Sequence, residues 1–138
     1  MAPTASDVTL VRNGIHNPAD PRHFMRVIPL ERLAVARVGE TELARSRAAS
    51  QVREVGYDIY DPVVYFPRSD VDMSRLRQNE RTTHCPLKGD TAYFDAIIGD
   101  EIVENAAWSY VEVIDVAAVL RDLIAFDSRH VTVVEVRD

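Results

Sequence analysis

Residues 82–110 read TTHCPLKGDTAYFDAIIGDEIVENAAWSY, and the way this stretch folds decides how the rest of the chain is arranged. Two apolar-rich runs, 93–98 and 101–110, meet at Gly99-Asp100. A Gly-Asp pair is a favoured two-residue hairpin turn, because glycine takes the positive φ that the reversal needs. The turn predicts a hairpin with Ile98 opposite Glu101. Side chains alternate along a strand, so Phe94, Ala96, Ile98, Val103 and Ala107 read as core, while Tyr93, Asp95, Glu104 and Trp108 share the other face. In this register Asp95 lies opposite Glu104, and two facing carboxylates repel on an ordinary sheet. Either water bathes that face, or the repulsion is put to use and Glu104 is a general base.

Working outward, the flanks also read as strands. Phe24 to Ile28, Val63 to Phe66, Ile124 to Phe126 and Val131 to Val136 are β-branched or aromatic runs bounded by turn residues. Leu33 to Val38 and Thr41 to Arg45 form a second hairpin around Gly39-Glu40, which sets Arg37 opposite Glu42. Residues 48–55 predict one or two helical turns stopped at Gly56. Residues 114–123 predict a short amphipathic helix with Asp115 as its cap, and Asp70 or Asp72 caps a single turn through Leu76. The sum is a mainly β protein, a compact single domain of antiparallel sheets with one or two short helices, over residues 17–138. Residues 1–16 read as a loosely ordered leader with at most a short strand at Val8 to Val11, and His16 and His23 nearby read as surface residues.

Composition narrows the functional classes. The chain has 138 residues, enough for one domain that buries a core without disulfides or metal. A net charge of −6 argues against nucleic acid or an anionic membrane as partner, since both need a basic surface. No apolar run is long enough to span a bilayer, and the N-terminus lacks the pattern of a signal peptide, so a cytoplasmic location is expected. The single cysteine, Cys85, excludes an internal disulfide and a multi-cysteine zinc site.

Reactive groups concentrate in the quoted stretch. Cys85 stands between His84 and Pro86, with Lys88 close by, and a thiolate needs such a cation or base to form near neutral pH. The alternatives are a buried inert thiol and a wall of a binding site. Lys88 sits in a turn, either solvated or, if aromatics desolvate it, as an anion contact or acid–base group. Tyr65, Tyr93, Trp108 and Tyr110 suit one apolar pocket with polar tips, although core packing explains each equally well. A metal site from His84, Asp95 and Glu104 has only weak spacing in its favour, and no metal or organic cofactor is expected.

Three segments together carry a resemblance: VVYFPRSDVDMSRL (63–76), THCPLKGDTAYF (83–94) and ENAAWSY (104–110), with NPADPRHFMRV (17–27) ahead of them. In this order and spacing they resemble the bacterial family known as domain of unknown function 427, from about Asn17 to the C-terminus. The resemblance implies a compact β fold of the β-tent type, shared with methionine sulfoxide reductase B and Mss4-like proteins, but with no zinc site, since Cys85 stands alone. The family carries a nucleotidyltransferase-like label. This chain has neither a phosphate-cradling glycine-rich loop nor a closely spaced acidic metal motif to go with it. It also departs from the family pattern at Val111-Glu112-Val113, where a proline usually follows WSY, and at Asp95, where a small hydroxyl residue is expected.

Two functional readings follow. One is a metal-independent enzyme acting on a small molecule, with Glu104, Lys88, His84 and Cys85 as its catalytic groups and Tyr65, Tyr93, Trp108, Tyr110 and Asp70 around the substrate. The other is a non-catalytic small-molecule-binding or protein-interaction module built on the same aromatics. A homodimer is compatible with either.

Overall fold

The computed structural model describes residues 10–136. Its strands are β1 (Ile15–His16), β2 (Phe24–Pro29), β3 (Leu33–Val38), β4 (Thr41–Ser46), β5 (Ser50–Val55), β6 (Val63–Phe66), β7 (Leu76–Gln78), β8 (His84–Cys85), β9 (Gly89–Ile98), β10 (Glu101–Val113), β11 (Ile124–Phe126) and β12 (Thr132–Val136). They form two antiparallel sheets. The larger has nine strands in the order β1-β2-β5-β6-β11-β10-β9-β7, with β8 also paired to β9, and the smaller has three in the order β12-β3-β4.

The period-two alternation of the strands sorts their side chains between two cores. Phe66, Phe94, Ala96, Ala107, Ile124 and Phe126 face the small sheet, where they pack with Ala34, Ala36, Leu43 and Ala44. Their sequence neighbours Tyr65 and Ala125 face the other way, with Tyr110 beside them, and pack with Met25, Val52, Leu87, Ala117 and Leu120. Strands β6, β10 and β11 therefore contribute to both layers, and Tyr65, Trp108 and Tyr110 lie on the face away from the small sheet.

The two predicted hairpins form. Gly99 and Gly39 take positive φ at their turns, and Arg37 pairs with Glu42 in register, although the nearest cation to the Glu42 carboxylate is Arg45 at 2.7 Å. Three expectations need correction. Residues 50–55 are not helical but a central strand, paired to β2 on one side and β6 on the other. The short run was read by its helix-compatible residues, and the hydrogen bonds offered by two neighbouring strands override that weak preference. The segment Asp115–Leu120 is a kinked 3-10 run whose preceding residue, Ile114, makes no side-chain cap. Its buried residues, Ala117 and Leu120, lie three apart, which suits a 3-10 turn. Finally, Leu10 and Val11 are not strand, whereas Ile15–His16 pairs with β2; Val8 lies outside the described residues.

The central hairpin departs from the simple register at two points, between Val103 and Ala107 and again between Tyr110 and Glu112, and the first lies beside the site. Glu101, Ile102 and Val103 pair with Ile98, Ile97 and Ala96 as expected, but Ala107 then pairs with Phe94 and Trp108 with Tyr93. Three residues, Glu104, Asn105 and Ala106, thus bulge opposite the single Asp95. Asn105 takes a φ of 53°, and its amide N–H donates to Asp95 Oδ1 at 2.9 Å. Asn79 Nδ2 closes the knot by donating to Asp95 Oδ1 and to Asn105 Oδ1, each at 2.8 Å. Because the slip is of two residues, the faces are preserved, and Tyr93 and Trp108 stay side by side.

Candidate functional site

Tyr93, Trp108, Ala125 and Tyr65 form one row across four neighbouring strands, since Trp108 pairs with both Tyr93 and Ala125, and Ala125 with Tyr65. The small Ala125 leaves the two larger side chains free to meet above it. Their rings sit edge to face at 6.4 Å, and the indole Nε1–H donates to the Tyr65 hydroxyl at 3.2 Å. Tyr110 lies diagonally from Tyr65, with ring centroids 6.5 Å apart. These side chains wall a concavity of about 760 Å³ that also reaches Val52, Glu54 and Lys88.

Lys88 is the buried end of this surface. It lies in the turn between β8 and β9, where Gly89 has a φ of 126° and any Cβ would fall 2.0 Å from the Glu112 carbonyl oxygen. Only glycine lets β9 start against β10 at that distance, directly after the buried Lys88. Its ammonium donates to Glu54 Oε1, lies 3.9 Å from Cys85 Sγ and sits 5.6 Å from the centroid of the Tyr110 ring. Glu54 Oε2 meets His23 Nε2 at 2.7 Å. The Lys88 and Glu54 side chains are only 8% and 13% exposed, so this is an ion pair largely removed from water.

The tautomer of His23 follows from its neighbour. Asn17 Oδ1 accepts the Ala19 N–H at 2.9 Å, which turns Asn17 Nδ2 toward His23 Nδ1 at 3.4 Å. Nδ1 is then an acceptor, and the ring proton is on Nε2, donating to Glu54. This bears on metal binding. His23, Glu54 and Cys85 place ligand atoms within 4.8 Å of one another, the one such grouping among the described residues. A metal-ligating histidine needs a free Nε2 lone pair and an outward acceptor for Nδ1–H, whereas here a donor faces Nδ1 and the lysine ammonium bonds the carboxylate. The residues fit a protonated amine rather than a metal ion.

Both phenols are held neutral. Burial pushes the Tyr65 hydroxyl well above the usual tyrosine range against the lowering effect of the Trp108 hydrogen bond, and burial does the same to Tyr110. At the rim, Arg81 stacks 4.6 Å over the Tyr93 ring, and hydrogen bonds from Arg129 hold the Asp127 carboxyl below its usual range.

Among the residues singled out from sequence, Tyr65, Tyr93, Trp108, Tyr110 and Lys88 come together on this concavity. Cys85 is half-buried just behind Lys88 and does not line it. His84 is exposed and bonds Asp90 through Nδ1 at 2.7 Å, which turns it away from the thiol. Glu104 is exposed on the bulge and lines a separate depression with Ile102 and His130, so it does not meet Lys88 in the concavity. Asp70 accepts from Ser46 Oγ at 2.6 Å, tying a 3-10 turn to β4, and takes no part in the concavity. Glu54 was not singled out, and His23, expected at the surface, is instead largely buried against it, with its side chain 18% exposed. Had Ser50–Val55 been read with period two, Val52 and Glu54 would have fallen on one face.

Together these features define a small antiparallel β domain that buries a lysine–carboxylate–imidazole chain at the end of an aromatic-walled cleft. The chain belongs to the family described as Domain of unknown function (DUF427), whose model matches residues 26–137. No curated protein matches it. Among the described residues no helix is long and apolar enough to cross a membrane.

Proposed function

We propose that this domain is an enzyme acting on a small molecule by acid–base chemistry, with Lys88 and Glu54 as the reacting groups and His23 as the residue that positions Glu54. The observation that carries this reading is the buried Lys88–Glu54 pair opening onto an aromatic cleft. Burying two charges is expensive and is a poor way to stabilise a fold, so a pair held in this way beside a cleft points to a functional role. A cleft of about 760 Å³ lies within the range of small-molecule sites, about 300–1,000 Å³. In this chemistry the carboxylate of Glu54 takes a proton from the substrate, and the ammonium of Lys88 donates to the oxygen on which charge develops.

The test is turnover of a panel of small carbonyl compounds, followed by NMR in D2O for C–H exchange and product. Glu54→Gln and Lys88→Met should each lower the rate by at least about a hundredfold. Equal rates in wild type and both variants would reject the acid–base reading.

A second reading, a module that binds a partner, has one observation in its favour. Tyr57 and Ile59 are 105% and 79% exposed on the loop whose next residues, Tyr60 to Pro62, line the cleft. Under this reading, including a homodimer formed through that loop, Tyr57→Ser with Ile59→Ser changes the mass in solution, while the enzyme reading leaves a monomer's mass unaltered.

A further inference from the structure

We infer that the cleft recognises a small, flat carboxylate, whose oxygens lie on Tyr65, Tyr110 and Lys88 and whose apolar body lies along Trp108 and Tyr93; this rests on the cleft being a small-molecule site, as proposed above.

Tyr65 accepts from Trp108 through its oxygen, and its own O–H has no acceptor among the described residues. The Tyr110 hydroxyl has no hydrogen-bond partner at all among them, although the residue is only 8% exposed and lines the cleft. Lys88 has three N–H groups, of which one is used on Glu54 and one points at the weak acceptor Cys85 Sγ. Three donors with hydrogens to spare thus surround one end of the cleft. Of the four carboxylates that line the cleft, Glu54, Asp61, Asp127 and Glu135, the one in contact with Lys88 is Glu54, and it already holds Lys88 and His23.

These unused donors favour a ligand that brings acceptors to this end and disfavour one that brings only donors. The ammonium makes a negatively charged acceptor better than a neutral one. Because burial keeps both phenols protonated, they remain donors across the neutral range. The walls set the body of the ligand. Tyr93 and Trp108 present adjacent ring surfaces, and Arg81, stacked on Tyr93 at the rim, adds a second positive charge at the mouth.

Trp108 is the chain's single tryptophan, so its fluorescence reports on the cleft alone. The probes are benzoate, benzamide and benzylamine, which share a ring and differ in the charge and hydrogen-bonding sense of the substituent. Benzoate is expected to change the emission saturably, with an affinity at least about tenfold above that of benzamide and with no saturable effect from benzylamine. Tyr110→Phe removes only an unpartnered hydroxyl, so it should leave the urea midpoint unchanged and weaken benzoate by about tenfold. The inference is overturned if benzamide or benzylamine binds as tightly as benzoate, if Tyr110→Phe leaves benzoate affinity unmoved, or if none of the three probes gives a saturable change. The measurement is independent of turnover. Benzoate selectivity combined with full turnover in Glu54→Gln would keep the anion site and reject the acid–base reading, and the reverse pattern would do the opposite.

Discussion

The ammonium of Lys88 donates to Oε1 of Glu54 across 34 residues of sequence, joining the turn before β9 to the middle of the large sheet. Removing one partner leaves the other charge in a place with little water. Lys88→Met and Glu54→Gln should each lower stability by about 3–5 kcal/mol, read from the urea midpoint. Replacing both at once, Lys88→Met with Glu54→Leu, should recover most of that loss, because two apolar groups of similar size leave no charge unpaired. Single variants as stable as wild type would show that water reaches the pair.

Gly89 makes this geometry attainable. A side chain there meets the Glu112 carbonyl at 2.0 Å and must also adopt a φ of 126°, so Gly89→Ala has to push β9 away from β10. The expected loss is at least about 3 kcal/mol, from backbone strain and the clash together. Gly39→Ala is the comparison. It sits at a φ of 58° with open space around it, and only the left-handed penalty of about 1 kcal/mol applies. Equal losses in the two variants would mean that the close approach to Glu112 is not what demands glycine.

Asp95 should contribute about 1–3 kcal/mol through the bulge it holds, since Asp95→Ala leaves the Asn105 N–H without its acceptor and takes from Asn79 Nδ2 one of its two. Hydrogen exchange at the Asn105 amide is the direct measurement, and unchanged protection in the variant would remove Asp95 from this role. The same residue shows where sequence reading stops. The turn at Gly99-Asp100 and the alternation beyond it gave the hairpin, its core face and the company of Tyr93 with Trp108, because local turn chemistry and period-two patterning are written in consecutive residues. The bulge depends on Asn79, a residue brought in by another strand, and no pattern within 101–110 announces it. His23 and Glu54 were hidden for the same reason. Each looks unremarkable among its own neighbours, and their relation to Lys88 exists only once β2 and β5 have paired. Family resemblance located the chain among relatives without saying which side chains meet.

The two buried phenols give a pH dependence of definite sign. Tyr65 and Tyr110 ionise in the folded protein well above the ordinary tyrosine pKa of about 10, the value expected in the unfolded chain. Below about pH 10 both states keep these protons, and the stabilisation from the neutral, buried phenols is fully present. Above it the unfolded chain loses protons that the native state retains, so stability falls as pH rises toward the folded-state values. Of the 5 tyrosines, these two should therefore contribute phenolate absorbance only as the far-UV circular dichroism of the sheets is lost. Tyr110→Phe should remove one of the two late equivalents and move alkaline unfolding to higher pH. If all five tyrosines ionise while the circular dichroism is still native, water reaches Tyr65 and Tyr110 freely, and neither phenol is a buried donor.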